Sequence, residues 1–343
     1  MSWHKFRPHW FNHSSDALNI SWLIPVRDGR RWLREAIQSI LDQSEPHDEI
    51  VVVDDGSVDR PVEVIPSDAR VRVVHQSADG IVAALERGRS LCRNPLIGRI
   101  DADDVALPGR VEVQRRYMAD HPAVAVVGGR AIMVPEHGPL SEGMRRYVDW
   151  VNGIEDHHAE LLVESPLFHP SVLMRAQSIQ RAGGYRQNGL PEDYDLWLRV
   201  VGAGYRISAV PDVVVRLRDH PDRLTRTHPR YRREAFDAAK KEWLRLGPLQ
   251  HPTKIALWGA GRSARPWLRW LQSEGHTVVA VIDPYQGTSR RGVPVVQPDE
   301  LTSLPVDKLF VAVGLAEARP IIRTALNRLR PTWVEGVDWW AVC

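Results

Sequence analysis

Cysteine is nearly absent from this chain: Cys92 and Cys343 are the only two in 343 residues. They form no disulfide framework and have no metal-ligand spacing, so a reducing, cytoplasmic setting is expected. Long apolar runs are missing too. No stretch approaches the roughly 20 consecutive apolar residues that a membrane-spanning helix needs. Met1 to Ala17, rich in His and Trp, lacks the continuous apolar core of a secretory signal. Any work at a membrane is expected to be peripheral or through a partner. There is no long basic run, and 45 Lys and Arg against 43 Asp and Glu leave a net charge of +2, so no nucleic-acid partner is expected. The small basic group Arg230, Arg232 and Arg233 reads as the solvated face of a helix. Internal repeats and low-complexity segments are also absent. What is present is ordinary for a globular protein: 43% hydrophobic and 26% charged residues. The length suits two domains. Tryptophan is plentiful, and Trp339 and Trp340 pack either a core or a partner.

From Asn19 the pattern is regular. Ile20 to Val26 and Glu49 to Val53 are short, continuously apolar runs, as in the central strands of a parallel sheet buried on both faces. Between them, Arg31 to Leu41 carries apolar residues at helical spacing. Val71 to His75 reads as a third strand, Ile81 to Leu91 as a helix, and Pro95 to Ile100 leads into Asp101. Strands alternating with helices predict an α/β domain. Further on, Leu107 to His121 reads as helix and Val124 to Val127 as strand. Residues 134–161 are less regular, with loops and a helix. Ser171 to Met174 is read as a strand, Asp193 to Val201 as a helix and Val213 to Leu217 as a strand. The segment 247–252 breaks the preceding helix and marks a boundary. After it come the strand Lys254 to Trp258, a helix over 264–274, and the strands Thr277 to Ile282 and Leu309 to Val313, a small Rossmann-type unit. The expected organisation is a tail at 1–18, a main domain at 19–247 and a second domain at 253–343.

Acidic residues follow two of the strand ends, where ligands of open α/β sheets bind. In Asp101-Ala102-Asp103-Asp104, three carboxylates repel one another unless a cation lies between them. A divalent ion such as Mn²⁺ or Mg²⁺ prefers such oxygen ligands and would bridge the phosphates of a nucleotide donor. The competing reading is a helix cap. Asp54-Asp55-Gly56-Ser57 either accepts hydrogen bonds from a nucleobase or ribose, or is simply a turn. Glu192 and Asp193 precede a helix, where a carboxylate can take a proton from an attacking hydroxyl or cap the helix. Trp197 either stacks on an acceptor sugar or fills the core. His169 and His220 both sit in turns.

The order of these pieces resembles the family 2 glycosyltransferases, which have the GT-A fold. The resemblance runs from about Asn19 to about Thr227 through the segments ISWLIPVRDG, EIVVVDDGS, RVRVVHQSADGIVAALERG, IGRIDADDVALPGRVEVQ, AVVGG, HPSVLMR, GGYRQNGLPEDYDLWLRVVGAGYRI and VVVRLRDHPDRLT. It implies a mixed, mainly parallel sheet. By the same resemblance, Pro25, Arg27 and Asp55 line the nucleobase pocket. Asp101 and Asp103 approach the donor ribose and the metal, with Asp104 a second candidate for the metal. Asp193 looks like the catalytic base, with Glu192 beside it, and His220 like a C-terminal histidine that joins the metal or the diphosphate. The implied chemistry is inverting, a single in-line displacement at the anomeric carbon. Two positions depart from the pattern: Arg27-Asp28 stands for the usual Tyr-Asn, and Glu86 for the usual Asn.

The second unit resembles the small Rossmann-like domains of sugar-modifying enzymes. Its Gly259, Gly261 and Ala264 follow a strand and precede a helix, and Asp283 ends the next strand, so a second nucleotide site is one reading. A structural or regulatory domain that binds no dinucleotide is the other. The expected activity is transfer of a sugar from a nucleoside diphosphate, of uridine or deoxythymidine type, to a hydroxyl on a glycan, lipid-linked or other acceptor in surface polysaccharide or glycoconjugate synthesis. The rival readings are a nucleotidyltransferase on a similar scaffold and a non-catalytic nucleotide-sugar-binding module.

Overall fold

The computed structural model describes residues 18–285 and 287–343. Apart from Leu18, the expected N-terminal tail therefore lies outside the described residues.

The first sheet is built as its apolar runs dictate. β1 (Ile20–Val26) is buried along its whole length and pairs in parallel with β2 (Glu49–Asp55), which pairs in parallel with β3 (Val71–Gln76). The connections are helices α1 (Arg30–Leu41) and α2 (Ile81–Leu91) and the loops around them. β4 (Leu96–Arg99) lies on the other side of β1. The short β5 (Val105–Ala106) and α3 (Arg110–Asp120) follow. α3 begins three residues later than the periodicity predicts, because Gly109 sits in the left-handed region at φ 86° behind Pro108.

The next strands are longer than their apolar runs. β6 (Val124–Pro135) has 12 residues and, after α4 (Glu142–Asn152), β7 (Leu173–Arg175), α5 (Ala176–Arg181) and α6 (Glu192–Gly202), β8 (Arg206–Asp219) has 14. β6 and β8 run in parallel with register shifts near Gly129 and Arg130. Those shifts let Pro211 and Asp212 fall outside the ladder that continues at Val213. The sheet order is β3-β2-β1-β4-β7-β6-β8-β5, mixed and mainly parallel as expected.

After the single-turn α7 (Leu224–Thr227), α8 (Arg233–Leu246) leads to the second sheet. That sheet is built from β9 (Lys254–Trp258), α9 (Ala264–Ser273), β10 (Thr277–Ile282), β11 (Ser289–Arg290), β12 (Val293–Val296), β13 (Lys308–Val311), α10 (Ala318–Leu329) and β14 (Trp339–Ala341). Its order is β11-β12-β10-β9-β13-β14. β14 resolves the open reading of Trp339 and Trp340: both are buried in this sheet, and Trp340 stacks on Phe310.

One apolar cluster joins the two units, from Leu196 and Trp197 of α6 to Trp267 of α9 and Phe310 of β13. Each fully buried aliphatic or aromatic side chain contributes about 1.5–3 kcal/mol. Polar ties reinforce the junction: Arg323 Nη2 donates to Glu160 at 2.7 Å, and Lys240 Nζ donates to the Val342 carbonyl at 3.5 Å. Among the described residues, no helix is long and apolar enough to cross a membrane.

Candidate active site

The carboxyl end of β4 is held by buried polar groups. Gly98 makes room for Trp22 on the neighbouring strand; a Cβ there would lie 2.5 Å from the ring. Arg110 lies over the same ring, 4.8 Å from its centroid, and donates to the Arg99 carbonyl at 2.7 Å. Gln114 donates to the carbonyls of Val127, Gly128 and Ser171. The turn that follows, Asp101 to Asp104, is thereby fixed against the centre of the sheet.

The three carboxylates converge there, with one oxygen of each within 4.8 Å of the others. They are not equivalent. Asp101 Oδ1 lies 2.5 Å from Arg99 Nη1; burial nevertheless pushes its carboxyl up. Asp103 Oδ2 lies 2.8 Å from His220 Nε2. Burial works against its charge, but the His220 contact and Arg223 together hold it below the ordinary value. Asp104 is turned inward: its Oδ1 accepts from the Arg218 backbone at 2.8 Å, and its buried Oδ2 has no hydrogen-bond partner. Burial, then the charges of Asp103 and Asp101, push it well above the carboxylate range. A buried carboxylate oxygen without a partner costs about 1–3 kcal/mol, so this cluster is incomplete as protein alone. Its all-oxygen donor set fits a hard divalent cation.

Asp101 and Asp103 line a cavity of about 1520 Å³, whereas Asp104 does not reach it. Pro25, Arg27, Asp55, Glu192, Asp193 and His220 line the same cavity. The structure thus gathers expected site residues spread over nearly 200 positions. Asp55 lies at the wall with its oxygens engaged: Oδ1 accepts from Gln76 Nε2 at 2.7 Å and from Asp79 N at 2.8 Å, and Oδ2 from Gly80 N at 3.0 Å. It shapes the loop that edges the cavity.

Asp193 and Glu192 divide in role. Both oxygens of Glu192 accept from the Tyr231 hydroxyl at 2.8 Å, and Arg230 Nη1 donates to Oε2 at 3.4 Å. Glu192 is therefore committed to the protein. Asp193 has one hydrogen bond, from the backbone of Tyr194 to Oδ1 at 2.7 Å. Burial, then the Glu192 charge, push the Asp193 carboxyl up to about 7. A carboxylate with that affinity for protons at a cavity wall can accept one from a bound hydroxyl.

Three expectations are corrected. Trp197 is 0% exposed and part of the core, so its ring offers no face to an acceptor sugar. Arg230 is not on a solvated helix face; it lies in a 3₁₀ turn, Pro229–Tyr231, 8% exposed against Glu192. The proposed second nucleotide site has no room. Gly259, Gly261 and Ala264 line a pocket of about 140 Å³, below the roughly 300 Å³ of small ligand sites. Asp283 faces its own loop, accepting from Ala260 N at 2.8 Å and Tyr285 N at 2.9 Å.

Two contributors were not among the expected site residues. Arg99 is buried against Asp101, and Arg223 lines the cavity and lowers the proton affinity of all three aspartates. Both lie in segments that carry the resemblance, beside the acidic turn and His220, but neither stands out there as a charged cluster. Glu86, the departure from the expected Asn, accepts from Tyr185 N at 2.8 Å and so ties α2 to the loop before α6.

The family described as "Glycosyl transferase family 2" matches residues 21–176. The amylovoran biosynthesis glycosyltransferase AmsE of Erwinia amylovora is 31% identical over 199 residues, 57% of this chain and 73% of that protein. The UDP-Gal:alpha-D-GlcNAc-diphosphoundecaprenol beta-1,3-galactosyltransferase of Escherichia coli is 30% identical over 200 residues, 57% and 71% of the two chains. Among solved structures, S. aureus TarS 1-349 in complex with UDP-GlcNAc superposes with a TM-score of 0.48 at 14% identity, covering 66% of this chain and 65% of that one.

Proposed function

The chain belongs to the family 2 glycosyltransferases, and from that premise we propose that it is an inverting, metal-dependent enzyme acting on a nucleoside-diphosphate sugar in surface polysaccharide or glycoconjugate synthesis. Family membership sets aside the nucleotidyltransferase and the non-catalytic module. The observation that carries the mechanism is one shared cavity holding Asp193, whose carboxyl is pushed up by burial and the Glu192 charge, and the carboxylates of Asp101 and Asp103.

In this reading Pro25, Arg27 and the loop held by Asp55 receive the nucleobase. Arg27 carries no aromatic ring, so its guanidinium plane stacks on the base instead. Asp101, fixed by Arg99, faces the ribose. Asp103, oriented by His220, would hold the metal, and the unpartnered Oδ2 of Asp104 makes it the second ligand candidate. A divalent ion such as Mn²⁺ or Mg²⁺ bound there would offset the charge on the departing diphosphate. Asp193 accepts the proton of the acceptor hydroxyl as its oxygen bonds to the anomeric carbon. The bond from that carbon to the diphosphate oxygen breaks on the opposite face, and its electron pair leaves with the diphosphate. Arg230 and Tyr231 hold the Glu192 carboxylate beside Asp193, and that neighbouring charge raises the base strength of Asp193.

The test is hydrolysis and transfer across UDP-, dTDP- and GDP-sugars with Mn²⁺, Mg²⁺ or excess chelator. One nucleotide class should be turned over with metal and lose activity with chelator. Undiminished turnover in chelator would remove the metal from the mechanism.

A further inference from the structure

The cavity that holds the carboxylates of the first unit is larger than an ordinary ligand site. Its volume of about 1520 Å³ exceeds the roughly 300–1,000 Å³ of ordinary ligand sites. Its wall includes Ser263 and Gly314, which belong to the second unit.

Their position in the second sheet is specific. Ser263 follows β9 and Gly314 follows β13, two adjacent parallel strands at the centre of the order β11-β12-β10-β9-β13-β14. The chain builds outward from β9 through β10 and β12, then crosses to β13 on the opposite side. The gap between β9 and β13 is thus the topological switch point, where open α/β sheets bind ligands beyond the carboxyl ends of their strands. The two loops approach closely there: a Cβ on Gly314 would lie 2.6 Å from Ser263 Oγ. Ser263 and Gly314, at the mouth of that switch point, line the cavity that holds the carboxylates of the first unit.

The shared wall is mixed in charge, with Arg233 beside Glu164 and Asp237, and points to a hydroxyl-rich ligand. Glu164 and Asp237 supply carboxylates that accept sugar O–H groups, and Tyr147 and Phe236 supply ring surfaces for sugar C–H faces. The nearby Lys240 ammonium donates to the carbonyls of Val163 and Val342, so it is not free for an anion. A dinucleotide has no place, because Asp283 and the glycine loop are closed on each other.

We propose that the crevice at Ser263 and Gly314 is an outer acceptor subsite, which takes the sugar units of a glycan acceptor beyond the one whose hydroxyl reacts. This rests on the transferase reading of the cavity. The second unit then acts in acceptor selection, and the natural acceptor is longer than one sugar. Ion pairs across the junction, Arg323 with Glu160 and Arg245 with Glu274, hold the subsite in register with Asp193.

The test is Ser263→Trp in the full chain, which fills the crevice; the native side chain caps no backbone group of α9. The probe acceptor is the glycan pool extracted from source cells that lack this protein. The donor is the radiolabelled nucleotide sugar that the parent hydrolyses best. Ser263→Trp should raise the half-saturating amount of extract at least about tenfold, while hydrolysis without extract and the melting temperature stay at parental values. Ser263→Ala, which leaves the crevice open, and Arg328→Trp, on an exposed face of α10, should behave as the parent. Unchanged half-saturation with Ser263→Trp, or an equal fall in donor hydrolysis, would overturn the subsite. If the parent itself labels nothing and hydrolyses no donor, the transferase reading has failed and the subsite falls with it.

Discussion

Each sheet ends a central strand in a loop with an aspartate poised near it, and the two loops behave in opposite ways. Beyond β4, three carboxylates crowd within 4.8 Å, one buried oxygen has no partner, and a large cavity adjoins them. Beyond β9, the glycine loop and Asp283 satisfy each other by hydrogen bonds, and the pocket beside them is small. In sequence both look like nucleotide-binding signatures. What separates them is whether the polar atoms are already satisfied. A loop whose acceptors are filled by its own backbone is finished as structure; a loop left with crowded charge calls for something else to complete it.

Substitutions can break that contrast. The largest effect is expected at Asp193→Asn, which keeps the shape and removes the proton acceptor: transfer should fall about 10²–10⁴-fold, read as kcat with donor and acceptor saturating. Retention of full transfer would remove Asp193 as the base. Asp103→Ala comes next, with a loss of about 10²-fold or more, the scale of several kcal/mol of charge stabilisation. Titration of the variant with Mn²⁺ should show weakened metal dependence, and an unaltered metal curve would break the assignment. Asp283→Ala should do the least to activity. It leaves the N–H groups of Ala260 and Tyr285 without their partner, costing about 1–3 kcal/mol of stability, seen as a lower melting temperature. Transfer per folded molecule should not change; a large fall in kcat would mean that the second loop is as functional as the first.

Much of this was readable from local pattern. β1, β2, α2, β9 and β10 are short apolar runs or clean helical periods bounded by turn residues, and their limits are nearly those expected. The acidic turn at Asp101 to Asp104 and the pair at Glu192 and Asp193 were visible as clusters. What escaped depends on contacts distant in sequence. β8 continues through Pro211 because register shifts opposite it absorb the interruption, and no local rule signals that. Tyr231 and Arg230 meet Glu192 across 39 and 38 positions, so nothing near Glu192 shows that it is engaged while Asp193 is free. Of the two readings open for Trp197, the cluster shared by the two units selects the core.

The central claim is that Asp193, in the cavity it shares with the acidic turn, is the base. The most direct measurement is the pH dependence of kcat/KM for transfer, parent against Asp193→Asn. Because the base acts deprotonated, the parent's rate should rise tenfold per pH unit below about 7 and level off above it. The variant should be slow and lack that limb. A variant that retains both the rate and the limb would contradict the account.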